Sequence, residues 1–198
     1  SKKLLKSFPN LKILPTYCDY TRYIKLPKNI EKTKIGFFLG SSIGNFYNNE
    51  EKKFLKNAKK TLGKKSFLFV GVDLIKNVKI LKKAYNDKGN FTARFNLNLI
   101  NIINKQFKTK LKVRDFKYMP SFNRKKSSME NFIESKKDQF FFIKKHKFYL
   151  KKGDKIQTEI SNKFTISKFT KLAKSSGWSV KKHWKDAKRY YAVFLLQA

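Results

Sequence analysis

The chain has 198 residues, of which 40% are hydrophobic and 16% aromatic, and this composition excludes an intrinsically disordered protein. No apolar run reaches the roughly 18 residues that cross a bilayer, and the N-terminal residues lack the apolar segment of a secretory signal, so we expect a cytoplasmic protein without a membrane partner. The single cysteine, Cys18, excludes an internal disulfide and is expected to be buried as a small apolar residue. With two widely separated histidines it makes a poor metal site.

The formal net charge of +35 at pH 7 raises the question of a nucleic-acid partner, because lysine and arginine neutralise phosphates. Only five of the 48 basic residues are arginine, the side chain that base and phosphate recognition favours, and the lysines are spread along the whole chain. The pattern therefore favours a solvated lysine coat over a nucleic-acid surface. We expect a monomer.

The first half of the chain alternates apolar, strand-like runs with a helical pattern, as a parallel α/β sheet requires. The strand at 34–39 is expected to be buried on both faces, and Asp73 follows the last strand at its carboxyl end, where ligands bind in open α/β sheets. The predicted elements are a strand at 11–14, a polar turn at 17–21, a strand at 34–39, a helix from Asn48 or Asn49 to Gly63, and a strand at 66–72.

The pattern changes after residue 75, where helices and then probable hairpins interrupt the strand and helix alternation. We therefore expect an α/β domain formed by residues 1–74 and 164–198, with residues 75–163 inserted as an α+β substrate-binding subdomain. The predicted elements are helices at 81–85 and 91–107, strands at 112–119, 129–135, 139–145 and 155–161, a helix from Thr165 or Ser167 to Gly177, and strands at 178–184 and 191–196 that return to the first sheet.

Four short segments carry polar groups where a ligand could bind, at 19–20, 40–45, 84–87 and 158–161. At 40–45 an apolar strand runs directly into small residues, which let the backbone approach a bound molecule closely. In 158–161, Glu159 and Ser161 are two residues apart on a predicted strand and therefore face the same side. A carboxylate and a hydroxyl so placed can together bind a polar ring or an ammonium group.

Each candidate also has a purely structural interpretation. Asp19 can be a turn former and Asn45 a helix cap. Tyr85 can be a core residue of its helix, and Glu159 a solvated residue on an edge strand. The glycine spacing around Gly40 is not the dinucleotide fingerprint and predicts no nucleotide cofactor by itself. Composition and spacing leave these alternatives open.

Six collinear segments resemble the histidine-specific, S-adenosylmethionine-dependent methyltransferase family, whose members trimethylate the α-amine of histidine to hercynine in ergothioneine synthesis. The matches extend over nearly the whole chain. The matching segments are 38–45 (FLGSSIGN), 71–76 (GVDLIK), 84–87 (AYND), 95–98 (FNLN), 158–161 (TEIS) with Lys163 and Phe164, and 184–186 (WKD).

The resemblance implies a Rossmann-like methyltransferase sheet, S-adenosylmethionine as cofactor and histidine as substrate. Methyl transfer is an in-line displacement at a sulfonium methyl, so no covalent catalytic residue is expected. The resemblance implies that Asn45 and Tyr85 bind the substrate carboxylate and that Glu159 and Ser161 hold the imidazole. The complete implied sets are Gly40, Asn45, Tyr85, Met129, Glu159 and Ser161 for the substrate, and Asp19, Tyr20 and Gly40 for the cofactor.

The sequence departs from the family at several points. Asn86 stands where the tyrosine motif has its first acidic residue, although Asp87 keeps the second. The family's glycine-rich cofactor loop, its ribose-binding acidic residue and the tyrosines that close over the substrate have no counterpart here. We therefore expect residues 1–198 to correspond to the C-terminal portion of a longer enzyme and not to turn over alone.

Two other functions stay open. One is N-methylation of another amino acid such as a tryptophan derivative, although Glu159 with Ser161 favours an imidazole over an indole. The other is a catalytically silent, basic nucleic-acid-binding protein, which would concentrate lysines and aromatic residues on one face.

We predict that residues 1–198 bind S-adenosylmethionine weakly or not at all, because the segments that hold most of the cofactor in the family have no counterpart in this sequence. Titration calorimetry of the purified chain with S-adenosylmethionine measures this directly. Micromolar binding would contradict the prediction and would show that the glycine-rich loop is dispensable.

Overall fold

The computed structural model describes residues 2–27 and 33–198, and its elements largely follow the predicted order. In chain order they are α1 (Lys2–Ser7), β1 (Ile35–Phe38), α2 (Glu50–Leu62), β2 (Phe67–Asp73), α3 (Val78–Tyr85), α4 (Phe91–Phe107), β3 (Phe116–Asn123), β4 (Ser128–Ser135), β5 (Gln139–Ile143), β6 (His146–Leu150), β7 (Lys155–Asn162), α5 (Ile166–Ser175), β8 (Ser179–Lys185) and β9 (Tyr191–Gln197), with short 3-10 helices at Ser42–Asn45 and Val113–Asp115. Within the described residues, no helix is both long enough and apolar enough to cross a membrane.

The larger sheet has the strand order β1-β2-β9-β8. β1 and β2 are parallel, and β9 is antiparallel to both β2 and β8. The parallel pair with its crossover helix α2 and the returning C-terminal hairpin confirm the predicted α/β, methyltransferase-type sheet. β1 and β2 therefore have their carboxyl ends on the same side of the sheet, and Phe38 lies opposite Val70.

Packing of α2 and α5 against this sheet forms the main hydrophobic core. α2 buries Phe54 and Leu55, and α5 buries Phe169 and Ala173, four residues apart on one helical face. Trp178 is 2% exposed, and its indole N–H donates to the carbonyl of Leu55 at 2.9 Å. The segment that follows α5 is thus bonded to α2, in addition to the packing of both helices on the sheet.

A second, three-stranded antiparallel sheet has the order β3-β4-β7, and β5 pairs with β6 in a hairpin. A second core of Ile100 from α4 with Leu111, Phe116 and Ile133 lies against this sheet. After β7 the chain rejoins the larger sheet, because the backbone N–H of Phe164 donates to the carbonyl of Asp73 at 2.9 Å. The second sheet is therefore anchored at the carboxyl end of β2.

Some sequence predictions were wrong. Residues 11–14 form no strand, and both leucines of that segment are exposed. β1 is not buried on both faces: Ile35 and Phe37, which share one face, are 53% and 66% exposed, because α2 and α5 pack on the opposite face, where Phe38 lies. Cys18 is exposed, since it lies in an irregular segment outside both cores. The strand β6, which pairs with β5, was not predicted.

Replacing Phe169 with alanine should lower the free energy of unfolding by about 3–5 kcal/mol, because a fully buried ring is replaced by a cavity. Phe169 packs against Phe194 and Phe164, with ring centroids 4.5 and 5.5 Å away. Urea denaturation followed by circular dichroism gives the value. Phe140→Ala serves as the control, since that ring is 57% exposed and its loss should cost much less. Equal losses for the two variants would contradict the core assignment.

The carboxylate of Asp87 starts α4 by accepting from the backbone N–H groups of Phe91 at 2.8 Å and Thr92 at 2.9 Å. These hydrogen bonds lower the pKa of Asp87 to about 2, and the bond from Thr92 contributes most. Because the pKa is lower in the folded state than in the unfolded state, the resulting stabilisation is present above about pH 4 and is lost as the pH falls towards 2. The difference in unfolding free energy between the chain and its Asp87→Asn variant should therefore shrink between pH 5 and pH 2.5. A pH-independent difference would contradict this role.

Candidate functional site

The small-residue segment after β1 folds as a tight turn at the carboxyl edge of the larger sheet. Ser41 has a left-handed backbone with φ of 57°, and the 3-10 helix Ser42–Asn45 follows it. The backbone N–H of Asp73 donates to Ser41 Oγ at 2.8 Å, which ties the turn to the end of β2. Gly40 is exposed, so its backbone is open to a ligand.

Close packing holds this turn against β7. A Cβ on Gly44 would lie 2.7 Å from the carbonyl oxygen of Asn162, so a larger residue would force the two segments apart. The side-chain amide of Asn162 donates to the carbonyl of Phe46 at 3.0 Å. Asn45 is thereby placed beside β7, and its interpretation as a helix cap is wrong, because the next helix begins at Glu50.

Glu159 lies half-buried on β7 and accepts hydrogen bonds from two side-chain amides. Asn131 Nδ2 is 2.8 Å from Oε2, and Asn45 Nδ2 is 3.5 Å from Oε1. Among residues 2–27 and 33–198, no lysine or arginine forms an ion pair with this carboxylate. Glu159 therefore differs from a solvated edge residue: neutral donors hold it in place and leave its charge uncompensated.

Tyr118 connects Glu159 to the helix that carries Tyr85. Its hydroxyl lies 2.8 Å from Asn131 Oδ1 and 3.1 Å from the backbone carbonyl of Tyr85. Burial, and then the negative charge of Glu159, raise the pKa of Tyr118 well above its usual value. Tyr118 consequently stays protonated and acts as a donor that orients Asn131, which in turn orients Glu159.

The ammonium group of Lys163 lies at the other side of Tyr85. Lys163 is 1% exposed, and its Nζ lies 2.8 Å from Asp73 Oδ2, 2.9 Å from Tyr85 Oη and 2.8 Å from Ser161 Oγ. The second carboxylate oxygen of Asp73 pairs with Lys76. The carboxyl end of β2, the end of α3 and the end of β7 therefore meet on a single buried cation.

Met129 and Ser161 lie next to each other across the β4 and β7 pairing. Met129 is fully buried and Ser161 is 7% exposed. The thioether provides an apolar wall beside the Ser161 hydroxyl, on a strand that also carries Asn131. This arrangement suits a ligand that is partly aromatic and partly polar.

Asp19 and Tyr20 lie before β1. The Asp19 carboxylate accepts from Thr21 Oγ1 at 2.6 Å and from the Thr21 backbone N–H at 3.0 Å, and it pairs with Arg22 at 3.1 Å, so it is a turn former. These Thr21 hydrogen bonds lower its pKa. The Tyr20 ring packs against Phe38, the last residue of β1, with centroids 5.7 Å apart.

The structure thus links Asn45, Tyr85, Met129, Glu159 and Ser161 through a continuous set of contacts, with Gly40 at the base of the turn. The linking residues, Asn131, Tyr118 and Lys163, had no role predicted from the sequence. Asn131 and Tyr118 lie on neighbouring strands whose register is not readable from local patterns, and Lys163 is one lysine among many. Asp73 was placed at a ligand-binding edge by its position after a strand, but its partner Lys163 was not foreseen.

The whole chain, residues 1–198, matches the family model described as histidine-specific methyltransferase, S-adenosylmethionine-dependent. It is 24% identical over 159 residues to the histidine N-alpha-methyltransferase of Mycolicibacterium smegmatis, covering 79% of this chain and 49% of that protein. It is 31% identical over 98 residues to the enzyme of the same name from Mycobacterium tuberculosis, covering 50% of this chain and 30% of that protein. Ergothioneine biosynthesis protein 1 of Neurospora crassa is 41% identical over 86 residues, 43% of this chain and 10% of that protein.

Among solved structures, the chain resembles an S-adenosylmethionine-dependent methyltransferase from Clostridium acetobutylicum with a TM-score of 0.49 and 12% identity, over 99% of this chain and 68% of that one. The chain spans about half or less of the length of the three sequence relatives. Because the family model covers every residue, the chain belongs to the histidine-specific, S-adenosylmethionine-dependent methyltransferase family.

Proposed function

We propose that this chain provides the amino-acid-binding part of an enzyme that methylates the α-amine of histidine, with trimethylhistidine as product, as in ergothioneine synthesis. The observation that carries the proposal is the uncompensated carboxylate of Glu159, which lies beside Ser161 on β7 and contacts Asn45 of the turn after β1. Two chemically different anchors are therefore available within one connected set of residues.

Glu159 and Ser161 suit the imidazole end of histidine. The two amides that donate to Glu159 are neutral, so a ring N–H can add a charge-assisted hydrogen bond without displacing a cation. An analogue without this donor leaves the carboxylate desolvated and unpaired, which is how a polar site rejects such a molecule. The buried Met129 would pack against the apolar part of the ring.

Asn45 and Tyr85 suit the carboxylate of the substrate. Asn45 is exposed on the turn, with its amide reaching towards β7, and the Tyr85 hydroxyl is bonded to the cationic Lys163. The positive charge beside Tyr85 favours an anionic group at that position. With the ring and the carboxylate both anchored, the α-amine is left as the free, orientable nucleophile.

Alignment is the chemical task of such a site. Binding at two ends fixes the direction of the amine lone pair, and this positioning lowers the entropic part of the barrier. Bound S-adenosylmethionine would supply the electrophilic methyl group. Tyr20 and Gly40 fit that cofactor, because an aromatic ring and an open backbone lie at the carboxyl end of β1. Asp19 fits it less well, since Thr21 and Arg22 already engage its carboxylate.

We further propose a cytoplasmic monomer with two parts. The sheet domain comprises residues 1–74 and 164–198, and the substrate subdomain comprises residues 75–163. The relevant partner is a free amino acid rather than a nucleic acid or a membrane.

Titration calorimetry of residues 1–198 with histidine, tryptophan and tyrosine tests the proposal. Histidine should bind, and Glu159→Gln should weaken its binding roughly tenfold or more, because one hydrogen bond to a charged group is lost. Glu134→Gln is the matched control, since Glu134 lies on β4 and pairs with Lys117 and Lys155 instead.

Three results of this titration would each contradict a different part of the proposal. Binding of tryptophan but not histidine would overturn the substrate assignment and favour methylation of a tryptophan derivative. Unchanged histidine affinity in Glu159→Gln would remove Glu159 from the site, and no amino-acid binding at all would overturn the proposed function of this chain.

A further inference from the structure

Lys163 is a buried cation whose donors are all used. An ammonium group has three N–H donors and no acceptor, and Nζ of Lys163 has three oxygen partners between 2.8 and 2.9 Å, on Asp73, Tyr85 and Ser161. Asp73 pairs with both Lys163 and Lys76, so this single carboxylate leaves the two ammonium groups with a net positive charge. A charged side chain that is 1% exposed costs free energy unless it is paired, so its position is closely defined by these three contacts.

The contacts also define the direction of two hydroxyl groups. Since Lys163 can only donate, Tyr85 Oη and Ser161 Oγ must both act as acceptors towards it. Each hydroxyl has a single proton, and that proton must then point away from Lys163. Tyr85 and Ser161 are therefore preset as donors to a further group.

We propose that Lys163 is a positioning residue for the amino-acid substrate: it presets the Tyr85 and Ser161 hydroxyls as donors and adds positive potential where the substrate carboxylate binds. This inference rests on the proposed function. It assigns Tyr85 as donor to the carboxylate and Ser161 as donor to the unprotonated ring nitrogen, while Glu159 accepts from the ring N–H. The site then matches a neutral imidazole with one donor and one acceptor.

The test compares histidine with histamine, which has the same ring and amine but no carboxylate. Both ligands have the ring that Ser161 is proposed to bind, so the contribution of Ser161 to the two affinities cancels in their ratio. The ratio therefore measures only the binding of the substrate carboxylate. Titration calorimetry of residues 1–198 should show tighter binding of histidine. Lys163→Met should reduce the histidine to histamine affinity ratio by about tenfold, because Tyr85 is then no longer preset as a donor and the positive potential at the substrate carboxylate is lost. A merely structural role would weaken both ligands and leave the ratio unchanged.

A second experiment tests the role of Lys163 in binding of the imidazole ring by Ser161. In a double-mutant cycle with histamine, Ser161→Ala should cost several-fold in affinity in the otherwise unchanged chain, and much less when combined with Lys163→Met, because the hydroxyl is then no longer preset. Lys168→Met is the matched control. That lysine is exposed on α5 with its Nζ over the Phe164 ring, and its loss should leave both measurements unchanged.

Lys163→Gln provides a second variant if the methionine side chain prevents folding, because an amide can still donate to Asp73 although it carries no charge. An unchanged affinity ratio in whichever of the two variants folds, or additive effects of Lys163→Met and Ser161→Ala, would overturn the inference. A chain that fails to bind histidine without any substitution would instead overturn the proposed function, and the inference with it.

Discussion

The close approach of the turn after β1 to strand β7 is the constraint on which the candidate site depends. Only a glycine at position 44 lets the turn lie against the backbone of Asn162, and the Asn162 amide then holds the turn through the carbonyl of Phe46. This contact joins the larger sheet to the second sheet at the point where β1 and β2 end. Without it, Asn45 would not reach Glu159.

The polar network extends this junction in two directions with different electrostatics. On one side, neutral donors from Asn45 and Asn131 position the Glu159 carboxylate without neutralising it. On the other, the ammonium group of Lys163 binds Asp73, Tyr85 and Ser161, and Asp73 is shared with Lys76, so that a net positive charge remains. In the proposed complex, the free carboxylate at one end would accept from the ring N–H of histidine, and the donors backed by the cation at the other end would bind its carboxylate, which leaves the α-amine free.

Local periodicity was sufficient to predict the parts of this site that lie on one element. Alternation along β7 placed Glu159 and Ser161 on the same side, and the apolar run followed by small residues predicted the turn at 40–45. Such local patterns could not predict which residues of different strands or helices contact each other. The β4 and β7 register shifts between Asn131 and Phe132, so the contact of Asn131 with Glu159 depends on an irregularity that no residue type announces. The exposure of Ile35 and Phe37 on β1 likewise reflects the packing of α2 and α5 on the opposite face, because an apolar strand sequence does not tell which of its faces helices will cover.

Glu159 has unusual hydrogen-bond partners for a carboxylate of this lysine-rich chain. In a chain with a net charge of +35 and 13 acidic residues, some carboxylates, such as Asp73, Asp115 and Glu134, pair with lysines, whereas others, such as Asp87 and Asp186, accept hydrogen bonds from backbone N–H groups. Glu159 belongs to neither group, because its donors among the described residues are the side-chain amides of Asn45 and Asn131. Under the proposed function, a ring N–H of the ligand would therefore add a hydrogen bond to a charged group without competing with a lysine for it.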